Sequence, residues 1–177
     1  MIKISYDINI YRELLKEMLS KNDTVIELGC HVGKSTEIIA EIVKDGKIFS
    51  IDNSPEAKDK MNLLCEKYPN LRFFIGDVRL HETLAKIHKL VFNCDVLSID
   101  LGGGYHPDTV FKVYHIWAST LKPKKTIIRN KGLIDFVNSS ETQESFKSNH
   151  GWLESCGSEG IPPQIKEFNL WTESLKK

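Results

Sequence analysis

Residues 23–36 read Asp23-Thr-Val-Ile-Glu-Leu-Gly-Cys-His-Val-Gly-Lys-Ser-Thr36, and residues 48–52 read Ile48-Phe-Ser-Ile-Asp52. An apolar run of strand length covers 24–28, and apolar residues recur with helical spacing between 35 and 43. Gly29 and Gly33 bracket a turn in which the backbone can approach a ligand closely. The stretch therefore predicts a strand, a glycine loop, a helix whose first N–H groups lack intrahelical partners, and a second strand.

Asp52 closes the second of these strands, 19 residues after Gly33. In nucleotide-binding βαβ units, an acidic side chain at about 20 residues beyond the glycine loop reaches the ribose hydroxyls. A ribose-bearing ligand is therefore the leading hypothesis for this stretch.

The composition of the loop bears on which ribose-bearing ligand it takes. A pyrophosphate-binding loop reads G-x-G-x-x-G, whereas His31 stands here where the second glycine is expected. Glu27 precedes Gly29 by two residues, and its carboxylate would repel a pyrophosphate but suits the positive charges of an amino acid and a sulfonium. An NAD-dependent oxidoreductase is therefore a weaker alternative.

The bulk composition is that of an ordinary globular domain. The 177 residues are 41% hydrophobic and 27% charged with a formal net charge of zero, which gives no bulk attraction to nucleic acid or to an anionic membrane. No apolar run approaches the about 20 residues of a membrane span, so we expect no membrane partner. The four cysteines form no Cys-x-x-Cys pair and favour free thiols in a cytoplasmic protein.

Strand and helix patterns alternate along the chain. Strands are predicted at 24–28, 47–51, 71–75, 95–99, 126–128 and 164–171, and helices at 8–20, 35–43, 54–68, 82–92 and 107–121. This alternation predicts an α/β fold with a doubly wound, mostly parallel sheet of seven or slightly fewer strands and helices on both faces. We expect one domain over 1–177, with 139–163 as a loop or insertion near the site.

Acidic residues stand at the ends of the first four predicted strands. They are Glu27, Asp52, Asp77 and Asp100, whereas the fifth strand ends at Arg129. Because ligands of open α/β sheets bind outside the carboxyl ends of the strands, these residues predict a ligand site on one edge of the sheet.

The order of these motifs resembles class I S-adenosylmethionine-dependent methyltransferases. The acidic-x-Gly-x-x-x-Gly pattern followed by Asp52 is similar to the first two motifs of that superfamily. Phe73-Phe-Ile-Gly-Asp77-Val78 is similar to the segment in which an acidic residue approaches the adenine amino group. Asp95-Val-Leu-Ser-Ile-Asp100 and Leu121-Lys-Pro123 resemble the fourth-strand motif and the turn before the fifth strand, so the resemblance spans about 22–129.

The resemblance implies a Rossmann-like methyltransferase fold, S-adenosylmethionine as the cofactor, and transfer of its methyl group to an acceptor that is a small molecule, a protein or an RNA. It also implies a set of cofactor-binding residues. These are Glu27, Gly29, Cys30, His31, Gly33, Ser35, Asp52, Asn53, Asp77, Val78 and Asp100.

The segment after the fourth predicted strand departs from one branch of the superfamily. Asp100-Leu-Gly-Gly-Gly-Tyr-His106 replaces the Asn/Asp-Pro-Pro-aromatic tetrad that many nitrogen methyltransferases carry. Arg129 stands where the metal-dependent branch has a second acidic residue, and a guanidinium would oppose a divalent cation. We therefore predict positioning-driven, metal-independent transfer.

Three residues are the candidates for catalysis: Asp100, His106 and Lys131. An imidazole exchanges protons near neutral pH, so His106 could act as a general base. The alternative is that His106 is simply the residue that precedes Pro107 at a helix start. A non-catalytic module of the same fold, binding a nucleoside or a partner, remains the main alternative because of the missing tetrad and the Gly102–Gly104 run.

Overall fold

A computed structural model describes residues 1–156 of the chain, in which strands and helices alternate. The strands are β1 (Ile2–Ser5), β2 (Thr24–Leu28), β3 (Lys47–Asp52), β4 (Leu71–Ile75), β5 (Val96–Ile99) and β6 (Lys125–Arg129). The helices are α1 (Ile8–Met18), α2 (Lys34–Ile42), α3 (Ala57–Lys67), α4 (His81–His88), α5 (Pro107–Leu121) and α6 (Lys131–Ser139). A 3₁₀ turn covers Glu154–Cys156, and the strand predicted at 164–171 lies outside the described residues.

The six strands form one sheet in the order β1-β6-β5-β2-β3-β4, and every neighbouring pair is parallel. Leu28 at the end of β2 lies opposite Ile51 of β3 and Ile99 of β5. After β2 the chain adds β3 and β4 on one side of it, and then β5 and β6 on the other side. The strand order therefore reverses at β2, which leaves a crevice at the carboxyl ends of the strands. The predicted doubly wound fold is confirmed.

Two apolar layers cover the sheet, because successive strand residues face opposite sides. On one side Ile26, Leu28 and Ile99 pack with α4 and α5, around the fully buried Trp117. On the other side Val25 and Ile48 pack with α1, α2 and α3. Helices therefore cover both faces of the sheet, as expected.

Two elements at the outer side of β6 were not predicted. β1 pairs with β6 through bonds such as Asn130 N–H to the Ser5 carbonyl, and its four residues carry too short a pattern to indicate a strand alone. α6 begins where the Asn130 side chain accepts a bond from the Leu133 N–H. Leu133, Phe136 and Val137 recur with helical spacing, a signal that was not used, although only Leu133 of this helix is buried.

The segment after α6 runs back to the amino ends of the strands, away from the carboxyl ends where the ligand site is expected. Residues 140–153 form no regular helix or strand. The Gly151 N–H donates to the Pro123 carbonyl and the Thr126 hydroxyl donates to the Gly151 carbonyl, which places this segment at the amino end of β6. Residues 157–163 of the predicted insertion lie outside the described part of the chain. Within residues 1–156, no helix is long and apolar enough to cross a membrane.

Candidate functional site

A cavity of about 830 Å³ opens at the carboxyl ends of β2, β3 and β5. Most of the predicted site residues line it: Gly29, Cys30, His31, Ser35, Asp52, Asn53, Asp77, Val78, Asp100 and His106. Glu27, Gly33 and Lys131 are absent from its lining. The strand ends in the sequence therefore indicate where the cavity lies. Which side chains face it depends on the tertiary structure.

Gly29 is held between the neighbouring strands. Its N–H donates to the Ile51 carbonyl at 2.9 Å, and its φ of +85° is a conformation that favours glycine. A Cβ at this position would lie 2.0 Å from the backbone oxygen of Asp100. We expected the glycine to leave room for a ligand, but its close contact is with the backbone that follows β5.

Gly33 serves packing on α3 and lies outside the cavity lining. Its φ is +81°, and a Cβ there would lie 2.3 Å from Leu64 Cδ1 and 2.9 Å from Met61 Sδ. Gly33 is thus required by the contact between the glycine loop and α3, a reason that differs from the expected approach to a ligand.

Asp52 fixes the loops on either side of the cavity. One carboxylate oxygen accepts the His31 N–H and the other accepts the Ser54 N–H, both at 2.7 Å. Each carboxylate oxygen has lone pairs for more than one donor, so both can still accept a ligand hydroxyl. The side chain is partly exposed and lines the cavity.

Asp77 is engaged by a neighbour that the sequence analysis did not single out. The Arg79 guanidinium binds both carboxylate oxygens, with Nη2 2.7 Å from Oδ2 and Nε 2.9 Å from Oδ1. The bond to Asp77 raises the pKa of Arg79. Both residues line the cavity, so a ligand amino group at Asp77 must share the carboxylate with this guanidinium.

Glu27 lies two residues deeper in the sheet than Asp52 and Asp100, level with Ser50 and Ser98 on the neighbouring strands. Its side chain is 1% exposed, and one oxygen accepts the hydroxyls of Thr36 at 2.8 Å and Ser50 at 2.6 Å. Glu27 therefore lies beneath the cavity and not in its lining, where it was expected to face a charge of the cofactor. Burial raises the pKa of Glu27 to about 7, against the lowering effect of the two hydroxyl bonds.

Replacing Glu27 with glutamine is expected to flatten the dependence of stability on pH. The native carboxyl holds its proton up to about pH 7, whereas the unfolded one loses it near its ordinary pKa of 4.5, so the free energy of unfolding falls as the pH rises from 4.5 to 7. The shift corresponds to roughly 3 kcal/mol of unfolding free energy, which urea titrations at several pH values would detect. Glu41→Gln on the exposed side of α2 is the matched control. If the free energy of unfolding of Glu27→Gln changed with pH as steeply as that of the wild type, the raised pKa of Glu27 would be contradicted.

Asp100 and Arg129 form an ion pair at the other end of the cavity. Nη1 of Arg129 lies 3.2 Å from each carboxylate oxygen of Asp100, and its Nε donates to the Tyr6 carbonyl at 2.9 Å. Burial raises the pKa of Asp100, while Arg129 acts in the opposite direction. Gly103 lies flat against this guanidinium, since a Cβ there would be 2.5 Å from Nη1.

His106 and Lys131 take different positions relative to the cavity. His106 lines it, precedes α5 and has a φ of +56°, which is uncommon for a residue with a Cβ. The Lys131 N–H donates to the Gly103 carbonyl and its ammonium lies 5.8 Å from the centre of the Tyr6 ring, outside the cavity lining. The structure thus brings Asp100 and His106 to the cavity and leaves Lys131 at its margin.

Arg12 and Arg79 both line the cavity but were not predicted, because only residues at strand ends were considered. Arg12 is on α1, upstream of the glycine loop, where no strand end directs attention. Arg79 follows Asp77 by two residues, and that short acid-to-base spacing is a signal that could have indicated a local ion pair. Within residues 1–156, no group of three or more His, Cys, Asp or Glu side chains is arranged to hold a metal ion.

No family model matches the chain. In a comparison with curated proteins, 90 residues are 34% identical to the candidate methyltransferase 235L of Invertebrate iridescent virus 6, covering 50% of this chain. The matched part spans about a third of that relative, 32% of its length.

Solved structures extend the likeness to the fold. Aeropyrum pernix fibrillarin, crystallised with natively bound S-adenosyl-L-methionine, matches 64% of this chain and 48% of its own length, with 19% identity and a TM-score of 0.52. An rRNA methylase from Streptococcus thermophilus matches 81% of this chain and 90% of its own, with 16% identity and a TM-score of 0.53. The chain therefore has the Rossmann-like fold of class I S-adenosylmethionine-dependent methyltransferases.

Proposed function

We propose that the protein is an S-adenosylmethionine-dependent methyltransferase. The observation that carries the proposal is the cavity where the glycine loop, Asp52 and Asp100 meet, at the point where the strand order of a parallel sheet reverses. The identity with 235L and the cofactor named for the fibrillarin structure support it. The acceptor is a small molecule, a protein or an RNA, and the rRNA methylase among the structural neighbours makes RNA the first class to test.

The nucleoside half of the cofactor would lie over β3 and β4. Asp52 has acceptor capacity left for the ribose hydroxyls, while Asp77 and Val78 border the expected adenine position. The Trp117 indole N–H donates to the Val78 carbonyl at 2.8 Å and holds this segment in place. The amino-acid half would then extend across Gly29 toward Asp100.

Catalysis would rest mainly on positioning, because the cofactor supplies the activated methyl group. Asp100 and His106 border the end of the cavity at which an acceptor would meet that methyl group. Arg129 already binds both oxygens of Asp100, which supports transfer without a divalent metal at this carboxylate. His106 would take a proton from the acceptor, and Lys131 would contact the acceptor from the margin.

The proposal is tested by calorimetry with S-adenosylmethionine, S-adenosylhomocysteine and NAD, followed by transfer of a labelled methyl group to RNA, protein and small-molecule fractions. We expect both adenosyl compounds to bind and NAD not to bind. Binding of NAD alone would contradict the proposal and favour the oxidoreductase. Binding of the adenosyl compounds with no transfer to any fraction would favour the non-catalytic module.

One observation favours that non-catalytic module. Gly103 packs against the Arg129 guanidinium, so part of the Gly102–Gly104 run serves internal packing and not acceptor binding. The binding and transfer measurements separate the two functions, since only the methyltransferase consumes the cofactor.

Replacing Asp52 with alanine is expected to weaken S-adenosylmethionine binding by about 1.5–3 kcal/mol, the range of hydrogen bonds to a charged group. The reason is the loss of two acceptors for the ribose hydroxyls and of the bonds that hold His31 and Ser54. Calorimetry measures the change. Asp59→Ala, which removes an exposed carboxylate on α3, should bind as the wild type does. Unchanged affinity in Asp52→Ala would place the ribose elsewhere.

A cytoplasmic location is part of the proposal. All four cysteines, Cys30, Cys65, Cys94 and Cys156, are free thiols. Unpaired cysteines are the usual state in a reducing compartment.

A further inference from the structure

One turn of α1 faces the cavity. Ile8 and Arg12, four residues apart, both line it. Between them, the buried Tyr11 hydroxyl is 2.6 Å from the Ser98 hydroxyl on β5. Because Ser98 precedes Asp100 by two residues, this bond holds α1 beside the carboxyl end of β5 and brings Arg12 to the Asp100 end of the cavity.

The Arg12 guanidinium carries a donor that the described part of the chain does not satisfy. Its Nε is buried and has no hydrogen-bond partner within residues 1–156. A guanidinium stays charged and offers only donors, so it cannot avoid the cost by losing a proton. Since Arg12 lines the cavity, a ligand there that brings an acceptor to this guanidinium would offset the cost of burying it.

The charges around Arg12 specify the kind of acceptor. Asp100 is close enough for Arg12 to lower its pKa, but Arg129 already contacts both oxygens of that carboxylate. Arg129 thus binds the Asp100 carboxylate and Arg12 acts on it through its charge, while the other cavity acids lie toward the β3 and β4 end. These are Asp52, bound to backbone N–H groups, and Asp77, bound to Arg79. This end of the cavity therefore has an excess positive charge that suits an anion.

We propose that Arg12 binds the carboxylate of the cofactor's amino-acid portion and makes cofactor affinity depend on that group. The inference rests on the proposed function. With the nucleoside over β3 and β4, the amino-acid portion extends across Gly29 and brings a carboxylate and an ammonium to the β5 end. The carboxylate pairs with the Arg12 guanidinium, and the ammonium lies beside Asp100, whose oxygens keep lone pairs for a further donor.

The test compares two ligands that differ only in the carboxylate. S-adenosylhomocysteine carries it, whereas S-adenosyl-3-thiopropylamine has the same nucleoside, thioether and ammonium without it. For Arg12→Gln, calorimetry should show a Kd for S-adenosylhomocysteine raised about ten- to hundredfold and no loss of affinity for the amine. Arg12→Lys, which keeps the charge without the planar fork, should fall between the wild type and Arg12→Gln. Lys16→Gln, on the exposed side of α1, should leave both Kd values unchanged.

The outcomes separate this inference from the proposed function. If the wild type binds neither ligand, the methyltransferase proposal fails first. If the wild type binds both and Arg12→Gln weakens both equally, Arg12 supports the fold or the nucleoside position and the inference is overturned. If Arg12→Gln binds both ligands as the wild type does, the inference is also overturned, and an anionic group on the acceptor becomes the partner to test.

Discussion

Replacement of Gly29 with alanine is expected to lower the free energy of unfolding by about 2–5 kcal/mol, combining backbone strain and overpacking. The Cβ would lie 2.0 Å from the Asp100 carbonyl oxygen, and this atom belongs to the backbone of a central strand end that has little room to move. The glycine loop or the end of β5 must shift, so cofactor binding should fall as well. Urea denaturation followed by calorimetry measures both effects.

Gly102→Ala is the matched control for this substitution. Gly102 has a φ of +89°, close to the +85° of Gly29, but a Cβ there would meet no atom within 4 Å. It therefore carries only the backbone strain, about 1–2 kcal/mol. An equal loss of stability in the two variants would show that the contact with Asp100 relaxes easily and would contradict the tight packing of β2 against β5.

Replacement of His106 with alanine is expected to lower kcat about a hundredfold on an acceptor identified by methyl labelling, within the range for a positioned general base. His106 lines the acceptor end of the cavity, whereas the cofactor is expected to bind through the glycine loop, Asp52, Asp77 and Arg12. The affinity for S-adenosylmethionine should therefore stay constant. Activity should also persist in EDTA, because the proposed transfer uses no divalent metal.

Lys131→Ala tests the separate role proposed for Lys131, which is contact with the acceptor and not proton transfer. Lys131 lies at the margin of the cavity beside Tyr6, so its loss should raise KM for the acceptor more than it lowers kcat. Full turnover in both the His106→Ala and Lys131→Ala variants would refute the assigned roles. Positioning of the acceptor alone would then account for transfer.

The inner strands of the sheet were predictable because they are buried on both faces and read as short apolar runs, as β2 does at 24–28. β4 also matches its predicted bounds of 71–75, although it is an edge strand in which Arg72 and Ile75 are exposed. α5 also matches its prediction, since Pro107 favours a helix start and Pro123 follows its end. Local residue preferences and the tertiary environment agree in these elements.

The elements at the outer side of the sheet were not predictable in the same way. β1 exists because β6 offers it backbone partners from Thr126 to Arg129, a contact across more than a hundred residues of sequence. α6 depends on the Asn130 side chain at its start and on one buried leucine. β1 is too short to carry a periodic pattern, whereas the helical spacing of Leu133, Phe136 and Val137 was a usable sequence signal for α6.

In the site, too, some features were predictable from the sequence and others depend on tertiary contacts. The spacing of the two glycines and the acidic strand ends was enough to indicate a ligand cavity at the carboxyl edge of a parallel sheet, because parallel strands bring equivalent ends together. The strand register places Glu27 two residues inside that edge, where its carboxylate accepts bonds from Thr36 and Ser50. Helix packing decided that Arg12 reaches the cavity, since the Tyr11–Ser98 bond spans 87 residues of sequence. Local pattern therefore determines which elements form, while register and packing determine which side chains face the ligand.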